Sequence, residues 1–179
     1  MQPVLIADGY NLIFSEYSIF NDNKKRYKKI NLSDAREALL GILSNYASYK
    51  GIYLIVVFDA YKVVNGAEKV YNYDRNTHVI YTGQSETADT VIERTVHEMK
   101  EDYEIKVATS DKSQQDYIFS QGATRISSRE MWIEIVNTDK KLYDEHIKKR
   151  KANEPLVKTM NSKTVKVLES IRKGLKSNE

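Results

Sequence analysis

The sequence predicts an α/β fold with a mainly parallel central sheet flanked by helices, followed by a C-terminal helical extension. Three apolar runs lead into an acid: Val4–Ala7 before Asp8, Ile52–Phe58 before Asp59, and Ile105–Thr109 before Ser110 and Asp111. A continuous apolar run is typical of a strand buried on both faces of a parallel sheet. Helical patterns separate these runs, and this spacing of strand, helix and strand indicates right-handed βαβ units.

Length and composition bound the class of protein. The 179 residues suffice for one sizeable domain with or without an appendage, and 41% hydrophobic with 30% charged residues is typical of a soluble globular chain. No apolar run approaches the roughly 18 residues of a membrane-spanning helix, and the start lacks the features of a signal peptide. The absence of cysteine excludes disulfides, thiol catalysis and cysteine-bound metal, and it favours a cytoplasmic protein.

Charge is distributed unevenly along the chain. The net charge is +3, but residues 140–179 contain twelve Lys and Arg against five Asp and Glu, or +7, which leaves −4 for residues 1–139. An acidic body with a basic tail predicts carboxylates gathered at a site and cations gathered for an anionic partner. The alternative is that the Lys-rich tail only forms a solvated helix face.

The first strand leads into a short polar motif. Asp8 stands at the predicted carboxyl end of this strand, where α/β sheets bind ligands. Gly9 allows a sharp turn, and Asn11 is near enough in sequence to share a site with Asp8. The alternative interpretation is an ordinary turn, in which Asp, Gly and Asn are common.

A dense basic cluster follows within a polar segment, residues 15–31. It consists of Lys24, Lys25, Arg26, Tyr27, Lys28 and Lys29. No apolar period supports a helix or strand there, which predicts a mobile loop. Its cations can neutralise phosphates and its tyrosine can stack on an unpaired base, so the cluster predicts RNA binding. A loop that only improves solubility is the alternative.

The middle of the chain continues the alternation. Asn31 or Ser33 caps a predicted helix that extends to about Tyr49, with apolar residues at three- and four-residue steps. After the second buried strand, residues 69–73 and 78–82 are strand-like and are separated by a turn. They predict a hairpin, or one strand added to the edge of the sheet.

The next helix is predicted to open within Ser85–Asp89. Glu86 and Asp89 are three residues apart, so on a helix they share one face and would lie at the same sheet edge as Asp8 and Asp59. The alternative explanation is that the helix dipole favours acids in a first turn.

The remaining pattern predicts a short helix, a short strand and two further helices. They are, in order, residues 112–121, 124–127, 129–151 and 162–176. Tyr117, Ile118 and Phe119 are the predicted core contacts of the short helix. The predicted domains are residues 1–151 and a basic helical extension, residues 152–179.

Acids therefore follow three predicted strands and open one helix. They are Asp8, Asp59, Asp111 and Asp89. Unpaired carboxylates at one edge repel one another and raise one another's pKa, and a divalent cation removes that repulsion. Oxygen ligands without cysteine or clustered histidine select Mg²⁺ or Mn²⁺, which suits phosphodiester hydrolysis. Asn11 or Ser110 would then orient a metal-bound water or a phosphate oxygen.

Four short motifs stand in the order and spacing of a known family. They are Asp8-x-x-Asn11, Asp59 at a strand end, Glu86–Asp89 and Thr109–Asp111. Over about residues 1–150 they resemble the NYN branch of the PIN-like nucleases, and within it the YacP-like proteins of Gram-positive bacteria. The resemblance implies a Rossmann-like sheet and a metal-dependent endoribonuclease that acts on mRNA at the ribosome. It further implies that the four aspartates and Glu86 bind the metal, with Asn11 as a polar group of the site.

Two other functions remain open at the level of sequence. A phosphatase with Asp8 as nucleophile would usually have a second acid two residues later, and this chain has Tyr10 there. A binding module would keep the acids without turnover, and a metal-dependent cleavage assay distinguishes it from a nuclease.

Overall fold

The computed structural model describes residues 1–15, 31–59 and 68–153, without the side chains of residues 146 and 148–153. The chain divides into two compact units, residues 1–138 and residues 139–179. The predicted domain boundary near residue 151 falls within the last described helix, and that division stays a prediction.

Strands and helices alternate through the described residues. They are β1 (Gln2–Asp8), α1 (Gly9–Phe14), α2 (Leu32–Lys50), β2 (Tyr53–Phe58), β3 (Lys69–Asn72), β4 (Thr77–Tyr81), α3 (Ala88–Met99), β5 (Tyr103–Ala108), α4 (Lys112–Ser120), β6 (Thr124–Ile126) and α5 (Ser128–Asn153). This alternation confirms the predicted α/β class.

The six strands form one sheet in the order β3-β4-β2-β1-β5-β6. All neighbours are parallel except β3 and β4, which form the predicted antiparallel hairpin at the edge. The sheet grows from β1 through β2 to β4, and the chain then crosses to β5 on the other side of β1. The carboxyl ends of β1 and β5 thus lie at the topological switch point, where such sheets bind ligands.

The core lies on both faces of the sheet, as the continuous apolar runs predict. On one face, Leu5 and Ala7 pack with buried residues of α2 and with Trp132 of α5. On the other face, Val4 and Ile6 pack with buried residues of α3 and α4. Burial of each Val, Leu or Ile side chain among them contributes roughly 1.5–3 kcal/mol, so the two layers hold the strand ends in fixed positions.

The structure corrects two local predictions. The residues after Asp8 form the helix α1 and not only a turn, because the Asp8 side chain caps the helix by accepting a hydrogen bond from the Asn11 amide. In α4, only Ile118 of the three predicted core residues is buried, whereas Tyr117 and Phe119 are exposed. The helix is too short for its apolar residues to reveal which face is buried.

Two predicted segments lie outside the described residues, the basic cluster Lys24–Lys29 and the helix over residues 162–176. In the part of the chain that the structure describes, no helix is long and apolar enough to cross a membrane.

Candidate active site

Asp8 occupies the carboxyl end of the central strand and is largely buried. Its Oδ1 accepts a hydrogen bond from the Asn11 amide at 2.9 Å. The pKa of Asp8 is raised to about 6, chiefly by burial and also by the charges of Asp89 and Asp59, against the lowering effect of the hydrogen bond from the Asn11 backbone amide. The elevated pKa indicates a carboxylate that lacks a neutralising partner among the described residues.

Asp59 and Asp89 lie near Asp8 at the same edge of the sheet. Asp59 directly follows β2, and its Oδ1 accepts a hydrogen bond from the Thr82 hydroxyl at 3.3 Å. Asp89 lies in the first turn of α3, which follows β4. Partial burial raises the pKa of Asp89, and the charges of Asp111 and Asp59 add to this. The three carboxylates therefore form one site of concentrated negative charge.

Asp111 stands at the side of this group. It follows β5 and caps α4, where its Oδ1 accepts a hydrogen bond from the Gln114 amide at 2.9 Å. Its side chain is exposed and does not line the cavity described below, although its charge acts on Asp89. All four predicted aspartates thus lie at the carboxyl edge of the sheet, and their catalytic role stays a prediction.

Asn11 links its own helix α1 to the loop between β5 and α4 and to the start of α5. Its Oδ1 accepts hydrogen bonds from the Ser110 amide at 3.2 Å and from the Ser128 hydroxyl at 2.6 Å. The Ser128 amide in turn donates to the Ser110 hydroxyl at 3.3 Å. Because the carbonyl oxygen of Asn11 is engaged in the fold, the group that remains for a ligand is its Nδ2, which can only donate. Ser110 serves the same network, and its predicted role toward a water or phosphate stays a prediction.

Glu86 does not join the acidic group. Helix α3 begins at Ala88, because the Thr87 side chain caps it by accepting a hydrogen bond from the Thr90 amide at 3.2 Å. Glu86 therefore precedes the helix and shares no helical face with Asp89, contrary to the sequence prediction. Its carboxylate accepts a hydrogen bond from the Arg94 guanidinium at 2.7 Å, and Arg94 also pairs with Glu68.

A cavity of about 600 Å³ opens between these elements. The described residues that line it are Asp8, Tyr10, Asn11, Phe14, Leu32, Asp59, Thr87, Ala88 and Asp89. Sequence reasoning missed its apolar members, Tyr10, Phe14 and Leu32. The four-residue spacing of Tyr10 and Phe14 would have placed them on one helix face, if a helix had been predicted there.

The donor chemistry of the cavity fits a hard divalent cation. The acidic side chains supply only oxygen ligands, and the raised pKa values of Asp8 and Asp89 indicate charge that a cation would neutralise. Within the described residues, no three His, Asp or Glu side chains are arranged to hold a metal ion together. This arrangement suits Mg²⁺, which is usually held by one or two carboxylates and keeps several waters.

Comparisons with known proteins identify close relatives. The YacP-like NYN domain family matches residues 5–173. The chain is 34% identical over 173 residues to the uncharacterized protein YacP of Bacillus subtilis (strain 168). The matched region covers 96% of this chain and 97% of that protein.

Solved structures agree with the sequence comparison. The crystal structure of Rae1 (YacP) from Bacillus subtilis matches with a TM-score of 0.65 and 32% identity, over 98% of this chain and 95% of that chain. A mutant form of the same protein matches with a TM-score of 0.66 and 30% identity, over 95% and 99% of the two chains. The likeness extends through nearly the whole chain and confirms the predicted α/β PIN-like fold.

Proposed function

Because the chain belongs to the YacP-like NYN domain family, within the PIN-like nuclease superfamily, we propose that it is a metal-dependent endoribonuclease. In this proposal it cleaves mRNA in the cytoplasm in association with the ribosome. The observation that supports it best is the group formed by Asp8, Asp59 and Asp89 in one cavity at the carboxyl edge of the sheet.

One or two of the carboxylates of Asp8, Asp59 and Asp89 would hold Mg²⁺ or Mn²⁺, and the remaining acid and Asp111 would add negative charge beside the ion. When bound, the ion would lower the pKa of a water and offset charge on the scissile phosphate. Oxygen-only ligands and the shared negative charge of the cavity support this choice of ion.

The chain itself supplies orientation. The backbone amide of Asn11 holds one oxygen of Asp8 by a hydrogen bond, and the Thr82 hydroxyl holds one oxygen of Asp59 in the same way. The hydrogen bonds from Ser110 and Ser128 hold the Asn11 carbonyl, so that its Nδ2 is positioned to donate to a phosphate oxygen. Catalytic groups that are held before substrate binds lose little entropy on reaction.

Electrostatic affinity for the RNA phosphates must come from surfaces other than the acidic cavity, since carboxylates repel phosphates. The densest cations of the sequence are Lys24–Lys29 and residues 140–179. We assign these two stretches to binding of mRNA and of ribosomal RNA, with Tyr27 as a stacking residue.

An Asp-based phosphatase is less well supported. Such enzymes usually have an acidic proton donor two residues after the nucleophile. Here that residue is Tyr10, whose hydroxyl accepts a hydrogen bond from Arg36 at 2.9 Å. An RNA-binding module without turnover is the remaining alternative.

A cleavage assay tests the proposal. Purified protein is incubated with end-labelled single-stranded mRNA fragments, with and without ribosomes, in Mg²⁺, in Mn²⁺ and in excess chelator. We expect internal cleavage that needs the metal and that Asp8→Asn abolishes. Binding without cleavage under every condition would favour the binding module, and cleavage that survives chelator would contradict the metal-dependent mechanism.

A further inference from the structure

One aromatic ring in the cavity has a large exposed surface. The Phe14 side chain is 61% exposed, yet it lines the same cavity as Asp8, Asp59 and Asp89. Leu32, also in this lining, is 41% exposed. Large apolar side chains beside a group of carboxylates contribute nothing to metal binding, and exposed together in one cavity they suit a ligand with an apolar face.

The Phe14 ring rests on a second ring that the fold holds in place. Tyr10 and Phe14 stack with centroids 5.9 Å apart and planes 22° apart. The Tyr10 ring also packs edge-on against the buried Phe58 at 5.3 Å, and its hydroxyl accepts a hydrogen bond from Arg36. Since Tyr10 is fixed at its edge and at its hydroxyl, the stack is positioned before any ligand arrives.

We propose that Phe14 is a stacking platform for an unpaired nucleobase of the RNA substrate, next to the phosphate that the acidic group receives. This inference rests on the proposed function and names a positioning residue for it. A nucleobase carries no charge and offers a flat π face, so it can bind beside carboxylates that repel the RNA backbone. Stacking is available to every base, and the platform therefore sets the position of the strand and not its sequence.

The platform also selects single-stranded RNA. In a duplex each base already stacks on its neighbours, and turning one onto a protein ring costs a few kcal/mol. In an unpaired strand that cost is largely absent. Stacking on one aromatic side chain strengthens binding roughly 5- to 150-fold per base.

The test measures binding of a fluorescently labelled single-stranded RNA by anisotropy, in the Asp8→Asn background so that the RNA stays intact. Phe14→Ala is compared with Phe14→Trp and with Phe119→Ala, which removes an equally large ring that is 73% exposed on α4 and outside the cavity lining. The same measurements use RNAs in which one base at a time is removed. Thermal melting reports stability.

We expect Phe14→Ala to weaken binding roughly 5- to 150-fold, Phe14→Trp to restore it, and Phe119→Ala to leave it unchanged. At one position of the RNA, removal of the base should eliminate most of the difference between Phe14→Ala and its parent. If Phe14→Ala weakens binding equally on every abasic RNA, or does not weaken binding at all, the platform is overturned. A large fall in the melting temperature of Phe14→Ala would also overturn it, because it would show that the protein itself covers the ring.

The two proposals fail in different ways. If the unaltered protein cleaves single-stranded RNA and Phe14→Ala behaves like it in binding and in KM, only the platform is wrong. If the unaltered protein neither binds nor cleaves RNA, with or without ribosomes, the proposed function is wrong and the platform falls with it.

Discussion

The Glu86 carboxylate lies 2.7 Å from the Arg94 guanidinium and outside the cavity that contains Asp89. Glu86→Gln should therefore retain RNA cleavage and metal binding, although the sequence alone predicts a ligand. The ion pair is partly exposed, so its loss should cost at most about 1 kcal/mol of folding free energy. Cleavage assays and the rise in melting temperature on adding Mn²⁺ measure both properties. If Mn²⁺ no longer raised the melting temperature of Glu86→Gln, Glu86 would have to be a metal ligand after all.

Asp8→Asn should stabilise the metal-free protein at neutral pH while it abolishes cleavage. The pKa of Asp8 is about 6 in the folded protein against 3.8 as a free side chain, so the folded state binds this proton more tightly. Stability of the metal-free protein therefore falls as pH rises from about 4 to about 6, and the full penalty applies above that range. Asn removes the charge and caps a helix as well as Asp does, which recovers up to about 3 kcal/mol.

Denaturant unfolding in excess chelator measures this effect. The stability difference between Asp8→Asn and the unaltered protein should be largest at neutral pH and should vanish only well below pH 3.8, where Asp8 is protonated in both the folded and the unfolded state. An Asp8→Asn protein that is less stable at neutral pH would contradict the raised pKa.

Two glycine substitutions should have opposite effects on stability. A Cβ at Gly9 would lie 2.2 Å from a ring carbon of the buried Phe58, so Gly9→Ala should cost roughly 1–3 kcal/mol and disturb the neighbouring Asp8. At Gly41, inside α2, an added methyl group would meet the Tyr73 hydroxyl at an ordinary contact distance of 3.8 Å and no closer atom of the described residues. Gly41→Ala should stabilise by about 0.5–1 kcal/mol through helix propensity. Thermal melting of both variants checks the pair, and equal effects would contradict the close approach at Gly9.

Replacement of Lys24, Lys25, Arg26, Lys28 and Lys29 by Ser should weaken RNA and ribosome binding. For each phosphate that the variant no longer neutralises, the slope of log affinity against log salt should become shallower by roughly 0.7 to 0.9. Binding to ribosomes and to free RNA across a salt series measures both quantities, and Mn²⁺ affinity serves as the control that should not change. Unaltered affinity and slope on both partners would show that the cluster only improves solubility.

The sequence predicts the strands and the convergence of their acids well, because parallel strands present their carboxyl ends at one edge. Asp8 and Asp59 line one cavity for that reason, and Asp89 lines it from the first turn of α3, the helix that follows β4. The position of Glu86 depends on which of several polar residues caps α3. Its pairing with Arg94 joins a residue before the helix to one within it, and the helical repeat does not predict such a contact.

The aromatic part of the cavity is harder to predict for a different reason. Helix α1 has six residues, too few to show a period, and its cap is the same aspartate that the strand pattern assigns to the site. The hydrogen bond between Asn11 and Ser128 spans 117 residues, and only the assembled tertiary structure brings these residues together.

That last hydrogen bond has a consequence for biosynthesis. Proteins are made from the N-terminus, and every candidate acid of the cavity precedes α5 in the chain. Two hydrogen bonds, however, come from α5. The side-chain carbonyl of Asn11 accepts one from the Ser128 hydroxyl, and the backbone carbonyl of Leu12 accepts one from the indole of Trp132. A nascent chain that ends before this helix has its acidic residues but lacks these two hydrogen bonds to α1. We therefore expect the cavity to be fully ordered only after α5 has been synthesised.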